Sequence, residues 1–588
     1  MMPINREFLD LITTPKVDGV ILTVRTNDKT PRLEGTLCLT CHHMLLSSRQ
    51  NHRHELWLLY RNIDQVERKM NNQSPGGCLL LKCKDFQILQ LDISSTEDLM
   101  SVSSCLEKLS TLEQVRQYPF FYRPPSDETK HQSDDGWSSF TPVSEWSRLL
   151  ASHGDEWRIS YLNRDYKVCN SYPSAMIVPR LIDDDVIMAS AGFRDGGRFP
   201  IICYRHEGGS ILFRSGQPLC GANGKRCRED EKLLNIVLGA GRRGYVVDTR
   251  STNQAQSARA KGGGTEIDSA YPQWRKVYKS VPRLGELSES LGKLLEACND
   301  VSSSSGQWIS RLEGSGWMGH VQGAMNAACV VAQCLDQELA AVLVHGSSGR
   351  DSTLVVTSLA QVILSPASRT IRGLQSLIER EWLQAGHPFF TRTRHSAYST
   401  TQSHTSPHSP IFLLFLDGLY QLHHQFQYSF EYTTDLLIEL FRHAYSSEFG
   451  TFLGDSEAER ITLRLPERTT SLWPHINKPE NLEKWMNPLY EANPTVIWPS
   501  VAPISIRLWK ELYLRHTPVA PWDGFNTCVK ELKENYSSVK RFAEQLRNQV
   551  RQALDEIEIQ SNGTPCLKEH DEQVQMCLGK LNIETPSS

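Results

Sequence analysis

The chain reads as a multidomain α/β protein in three parts: a small β-sandwich closed by a helix, a large α/β body, and a long terminal helix. Three observations predict this. Apolar, β-branched and aromatic runs recur between about residues 17 and 93 and give way to one helical stripe. Helical and strand patterns then mix from Trp137 to about Arg515. Finally, a heptad seam runs from Val529 to Ile557 with no Gly or Pro to interrupt it. At roughly 150 residues per domain, a length of 588 excludes a single small module.

Taken in order, VILTV, GTLCLT, ELWLLY, CLLLKC and QILQLDI are strand-like runs bounded by Asn, Asp, Gly and Pro. The helix that follows has Ser95 and Thr96 as candidate caps, Glu97 and Asp98 in its first turn, and Leu99, Val102, Leu106 and Leu109 at helical spacing. Strands closed by one helix fit a pleckstrin-homology-like fold over residues 1–122. Residues 123–136, RPPSDETKHQSDDG, are polar and contain Pro, which marks an exposed linker. The α/β body occupies 137–515, and its segment Ser396 to Pro410 is too polar to pack and reads as a loop. A coiled-coil helix over 525–560 and a disordered polar tail over 561–588 complete the chain.

Composition narrows the function classes. The formal charge of −4, with 22% charged and 39% hydrophobic residues, excludes a disordered chain and argues against a nucleic-acid binder, which needs a basic excess. The longest apolar run, IFLLFLDGLY from Ile411, is shorter than the roughly 18 residues that span a bilayer, and it carries Asp417. Charged residues precede any apolar run at the start, so no secretory signal is read and a cytoplasmic location is expected. Fifteen cysteines, scattered from Cys38 to Cys577, suit a reducing compartment, where most act as small buried hydrophobes.

Chemistry concentrates in AAVLVHGSSGRDSTLVVTSLAQVIL, Ala340 to Leu364. AAVLVH is a buried strand and TLVVTSLAQVIL a helix, so GSSGRDS is a tight turn feeding a helix N-terminus, where unpaired amides favour an anion. The same order of strand, His, turn and helix frames cysteine-dependent phosphatases. These place a thiolate and an arginine five residues apart across the turn, one to attack phosphorus and one to grip two phosphate oxygens. Here Gly346 stands at the nucleophile position and Ser352 at the arginine position. Glycine has no nucleophile, and serine cannot bracket a phosphoryl group whose charge is spreading.

The loop HGSSGRDST resembles the HCSDGWDRT loop of the myotubularin phosphoinositide phosphatases: His345, Ser347, Gly349, Asp351 and Thr353 are kept, while Gly346, Ser348, Arg350 and Ser352 replace Cys, Asp, Trp and Arg. EGTLCLT at Glu34, GGRFPI at Gly196, RSGQP at Arg214, DTRS at Asp248, AKGGG at Ala260, RTIRG at Arg369, FGTFLG at Phe449 and WPSVAP at Trp498 extend the likeness to about residue 560. The resemblance is to members lacking catalytic residues. It implies a PH-GRAM domain, an inactive phosphatase-like domain and a coiled coil, with no cofactor and no metal. It implies binding to active relatives of the myotubularin-related protein 6, 7 and 8 type. Their activity, stability or targeting towards phosphatidylinositol 3-phosphate and 3,5-bisphosphate would rise, at endosomal or other endomembranes. A phosphoinositide-binding scaffold acting without a phosphatase partner is the alternative.

Cys220 and Arg226 satisfy the same C-x5-R spacing, but no Ser or Thr follows and the strand is displaced by Gly216, Gln217 and Pro218, so a structural loop is expected. Cys38, Cys41, His42 and His43 lack a second pair of ligands, and His423 and His424 lack any, so no metal is expected. AKGGG lacks the GK[ST] ending of a nucleotide loop and reads as a turn. In the heptads Val529, Leu532, Tyr536, Val539, Ala543, Leu546, Val550, Ala553 and Ile557 form the seam. The e positions Lys533, Lys540 and Arg547 are basic and only Glu556 among the g positions is acidic. That pattern favours a partner helix with acidic g residues over a second copy, with self-association left open.

Overall fold

The computed structural model describes residues 10–24, 32–48, 55–72, 74–111, 114–115, 136–238, 242–300, 303–398, 407–517, 536 and 539–553. Most of the 123–136 linker, the centre of the 396–410 loop, Val529, Leu532, Ile557 and the 561–588 tail lie outside them. The first module has seven strands: β1 (Lys16–Val24), β2 (Arg32–Leu39), β3 (His43–Ser48), β4 (Glu55–Leu59), β5 (Ile63–Met70), β6 (Gly77–Cys83) and β7 (Ile88–Ile93). They form one antiparallel sheet in the order β4-β3-β2-β1-β7-β6-β5. Period-2 alternation drives it: in β2 and β3, Leu37, Leu39, Met44 and Leu46 are buried while their neighbours are half-exposed. The helix Thr96–Ser110 closes the module as expected. Ser95 Oγ accepts the Asp98 N–H at 3.2 Å, and Leu99, Val102, Leu106 and Leu109 are buried on the sheet.

The α/β body is built on a five-stranded sheet of β10 (Ile201–Arg205), β11 (Ile211–Ser215), β14 (Ala341–His345), β12 (Gly244–Asp248) and β13 (Trp274–Tyr278), in that order. A separate pair, β8 (Trp157–Ser160) and β9 (Met176–Pro179), lies beside it. Only β10 is antiparallel to its neighbour; β11, β14, β12 and β13 run parallel. Parallel strands must be covered on both faces, and they are. Val342 and Val344 face the helices Trp317–Asp336, Ser352–Leu364 and Ile411–Gln425, while Ala341 and Leu343 face Trp157, Leu234, Tyr271 and Trp274.

The apolar run at Ile411 is thus a buried helix rather than a membrane segment, and its charge is satisfied inside. Asp417 accepts hydrogen bonds from Trp317 Nε1 (2.8 Å), Tyr513 OH (2.8 Å) and Gln421 Nε2 (2.9 Å), and burial raises its pKa. No helix among the described residues is long and apolar enough to cross a membrane.

The sheet module and the body belong to one compact unit, 1–522. Arg61 Nε donates to Tyr445 O at 3.1 Å, and the Asp64 carboxylate accepts the N–H groups of Ser396 and Tyr398, each at 3.0 Å. The second unit, 523–588, is helical at 539–553. Of its seam residues, Tyr536, Val539, Leu546 and Val550 are exposed, Val539 to 65%; Ala543 is half-buried and Ala553 exposed.

Candidate functional site

β14 sits between β11 and β12 at the middle of the sheet, and all five of its residues are buried. Its C-terminal end therefore opens where ligands meet parallel sheets, and the turn 346–351 carries the chain into the helix Ser352–Leu364. Gly349 has φ +70°, and a Cβ there would lie 2.2 Å from Ser215 O, so only glycine fits. The turn's carbonyls are tied down from outside: Gln217 N–H donates to Ser347 O at 2.9 Å and Arg198 Nη2 to Gly349 O at 2.8 Å. Among the described residues, no N–H from Ser347 to Thr353 meets an acceptor. Ser347, Ser348, Gly349, Asp351 and Ser352 line a cleft of about 550 Å³. Free amides at a helix N-terminus on a cleft wall form an anion cradle.

At the nucleophile position Gly346 presents only backbone. A Cβ there would lie 2.6 Å from Thr249 Oγ1, 3.2 Å from Ser352 Oγ and 3.5 Å from Thr353 Oγ1. Thr249 Oγ1 and Ser352 Oγ are hydrogen-bonded to each other at 2.7 Å, and Thr353 Oγ1 is buried with no partner. Arg350 stands in the turn but does not serve the cradle. Its guanidinium turns away from the cleft and donates to Gly386 O (2.7 Å) and Asp455 O (2.9 Å), bracing the turn to distant backbone. Asp351 is likewise engaged: Arg392 grips both carboxylate oxygens at 2.9 and 2.8 Å. Burial pushes the Asp351 pKa up, and the charge of Arg392 with the hydrogen bond from His387 outweighs it, holding the group well below the usual carboxylate range.

Beneath the turn runs a buried ion network. His345 Nε2 meets Glu266 Oε2 at 2.9 Å; Glu266 Oε1 accepts from Arg194 Nη1 at 2.6 Å; and Arg194 makes a fork with Asp230 at 2.9 and 2.6 Å. Ser190 and Tyr271 complete the Asp230 shell at 2.6 and 2.7 Å. Burial lowers the His345 pKa and the Glu266 charge more than offsets it, so the imidazole titrates above its ordinary value. Burial raises Glu266, and His345 with Arg194 outweigh it, holding that carboxyl well below the usual range. On the cleft wall Arg250 is paired with Asp248 at 2.9 and 2.8 Å and donates to Gln217 Oε1 and Gly264 O at 2.6 and 2.9 Å. Lys261 and Arg283 add positive charge to the lining.

The rival motifs take structural places. Burial and the Glu266 charge push the Cys220 thiol up to about 11, its Sγ donates to Thr265 O, and Arg226 forks onto Glu231 at 3.0 and 2.9 Å. Cys38 is in the β2 ladder opposite Lys16 and Leu45. His423 is held by Tyr432 O at 2.8 Å and pushed down to about 4 by burial. Glu439, His443 and His475 present ligand atoms within 4.8 Å of one another, but the carboxylate oxygens of Glu439 are engaged, one by Arg442 (2.9 Å) and one by His443 (3.1 Å).

Sequence reasoning found the turn but not its support. Arg194, Asp230 and Glu266 are polar residues in unremarkable surroundings, and only folding reveals them as one network. Thr249 and Arg250 lie in the DTRS run and Lys261 in AKGGG, which the sequence presents as a turn. It forms part of the cleft wall, with Lys261 and Gly263 in the lining.

Comparison with known proteins agrees with this geometry. Residues 117–461 match the Myotubularin-like phosphatase domain, and residues 16–110 match the GRAM domain of the MTMR6-9 group. Myotubularin-related protein 9 of Bos taurus is 50% identical over 557 residues, covering 94% of this chain and 98% of the relative. The human protein of that name is 49% identical with the same coverage. The phosphatidylinositol-3,5-bisphosphate 3-phosphatase MTMR6 of Mus musculus is 33% identical over 558 residues, covering 92% of this chain and 88% of that one.

Proposed function

The chain belongs to the myotubularin family, and from that premise we propose that it is a catalytically silent regulatory subunit. It pairs with an active myotubularin-related phosphatase and raises that partner's activity, stability or targeting towards phosphatidylinositol 3-phosphate and 3,5-bisphosphate. The observation that carries this reading is the strand-to-helix turn. It has the amide cradle and its buried support, and it has Gly346 and Ser352 where attack and phosphate clamping require a thiolate and a guanidinium. Loss of a nucleophile alone costs roughly six decades of turnover in a protease where it has been dissected. A body so equipped acts through what it binds. The exposed seam of Tyr536, Val539, Leu546 and Val550 supports a helical partner, with active relatives of the 6, 7 and 8 type as candidates. Binding would stabilise the partner by mass action and add a second membrane-contacting module, which increases avidity without new chemistry.

The test is phosphate release from vesicles containing phosphatidylinositol 3-phosphate. The purified chain alone should release none above background, and adding it to an active relative of the MTMR6 type should raise that enzyme's rate or half-life. Turnover by the chain alone, or no effect on any active relative, would refute the proposal.

A second reading, a phosphoinositide-binding scaffold without a phosphatase partner, draws on the unpaired amides and on Lys261 and Arg283 in the cleft. Lys261→Glu with Arg283→Glu reverses the charge that the cleft offers and should abolish binding of 3-phosphorylated vesicles by this route while leaving binding through the first module.

A further inference from the structure

We propose that Glu439, His443 and His475 form a binding site for a divalent ion of the zinc type, on the wall of a second cleft where the first module meets the body. The site lies apart from the turn and its cradle, and the inference does not depend on whether the chain is catalytically silent.

Three observations carry it. The first is the donor set. Glu439 and His443 stand four residues apart on one face of the helix Thr434–Tyr445, and His475 is presented by the short helix Trp473–Ile476. One ligand atom from each lies within 4.8 Å of the other two. At metal–ligand lengths of about 2.1 Å, donors around a tetrahedral ion are about 3.4 Å apart. His443 Nε2 and Glu439 Oε1 are already 3.1 Å apart, so rotation of the half-buried His475 completes the set. Two imidazoles and one carboxylate suit zinc and its neighbours rather than calcium or magnesium, which take oxygen ligands. Sequence spacing does not reveal the site, because His475 comes from a separate element.

The second is the support behind the donors. His443 Nδ1 is 2.8 Å from Ser447 Oγ, which also accepts the Phe449 N–H at 3.0 Å. Arg442 Nη1 donates to Glu439 Oε2 at 2.9 Å. These contacts aim Nε2 and Oε1 at each other, as the outer partners of metal ligands do. The contacts of Glu439 are therefore those of an oriented ligand. The ion takes the place of the proton on His443 Nε2, and the N–H that the ring keeps is at Nδ1, donating to Ser447 Oγ.

The third is His475 and the cleft it faces. Among the described residues neither of its ring nitrogens meets a hydrogen-bond partner, and its ring lies 5.1 Å from the Phe449 ring and 6.2 Å from that of His443. It lines a cleft of about 490 Å³ to which the first module contributes His43, Trp57 and Leu58. Burial lowers the His475 pKa and the His443 charge lowers it further, so the ring offers a neutral lone pair. Setting the histidines aside, Glu439, Glu448 and Asp85 outnumber Arg442 and Lys478 in the lining, which favours a cation. The fourth position of the ion opens to the cleft and takes water.

The experiment uses the full chain, stripped with EDTA and then titrated with Zn2+ in competition with a chromophoric chelator. The parent chain should bind an ion that His475→Ala and Glu439→Gln each weaken by at least about tenfold. His424→Ala, which removes an imidazole elsewhere, should leave the affinity unchanged. Zn2+ should raise the Tm of the parent and not that of His475→Ala. In EDTA the parent and His475→Ala should melt together, which separates loss of the ligand from loss of the fold. Because the chain has fifteen cysteines, a parallel titration with Co2+ identifies the donors: d–d bands without a thiolate charge-transfer band are expected. No bound ion, equal affinity in the parent and His475→Ala, or a thiolate band from the bound Co2+ would each overturn the proposal.

Discussion

Replacing Glu266 by Gln tests whether the network beneath the turn supports the site. Glu266 is 2% exposed and pairs with Arg194 at 2.6 Å and with the His345 imidazole at 2.9 Å. Breaking a buried pair from one side typically costs about 3–5 kcal/mol. The glutamine oxygen can still accept one hydrogen bond, which restores about 1 kcal/mol, so a net loss of about 2–4 kcal/mol follows. At roughly 2 °C per kcal/mol for a large domain, Tm should fall by about 4–8 °C. The pH signature is sharper than the magnitude. The His345 pKa is raised in the folded chain, so its contribution is complete below the unfolded value near 6.5 and is lost as pH rises through the folded value. Glu266 is depressed, so its contribution is present above its unfolded value near 4.5 and is lost as pH falls below that. Thermal melts of parent and variant at pH 6 and pH 9 give the difference directly: the stability gap between them should be widest at pH 6 and should narrow at pH 9. A gap under about 1 kcal/mol, or one unchanged between the two pH values, would refute the assignment of the pair.

Gly349→Ala combines a left-handed backbone with a 2.2 Å approach to Ser215 O, and denaturant titration should show a loss of about 3 kcal/mol or more. Arg350→Lys keeps the charge but loses the two-pronged reach to Gly386 O and Asp455 O. It should cost about 1–2 kcal/mol in the same assay, with vesicle binding unchanged because the side chain faces away from the cleft. Leu546→Asp removes an apolar seam residue worth about 1.5–3 kcal/mol when buried. Co-purification and titration with an active relative should show at least a tenfold weaker complex, with the melting of unit 1–522 unaffected.

Elements that repeat a strong pattern were legible from sequence. β2, β4, β6 and β7 announce themselves as apolar runs, and the helix Thr96–Ser110 has both its cap and its stripe. β5 was invisible for a physical reason: in IDQVERKM only Ile63 is buried, and the strand is kept in the sheet by its ladder with β6 rather than by an apolar face. β3 was missed because HMLLSS begins in a polar turn and ends in serines. The turn 346–351 was legible because strand and helix flank it within 25 residues. Its support was not, because Arg194, Asp230, Glu266 and His345 are brought together from separate elements, and no local pattern marks a long-range ion pair. Arg350 is a further case: nothing local in the sequence marks its part, and only its reach to Gly386 and Asp455 shows that it braces the fold.

The groups that build the turn and the groups that would react in it are different residues, so Gly346 and Ser352 can stand in the reacting places without changing the path of the chain. Gly349, Arg198, Gln217 and the His345–Glu266–Arg194 network determine the path of the chain. None of them needs a thiolate or a free guanidinium nearby. A reactive site, by contrast, holds a buried anion and an unpaired cation ready for a substrate that is often absent, and such strain is a recurrent cost of activity. With Gly346 and Ser352 in those places, the hydroxyls of Thr249 and Ser352 satisfy each other at 2.7 Å. The ion network lies under the turn in the unit 1–522, while the exposed residues of 539–553 belong to the unit 523–588. On the proposed function, Leu546→Asp should weaken the complex with an active relative and Lys261→Glu the binding of 3-phosphorylated vesicles, and a variant that lost both together would refute the assignment of the two roles to separate surfaces.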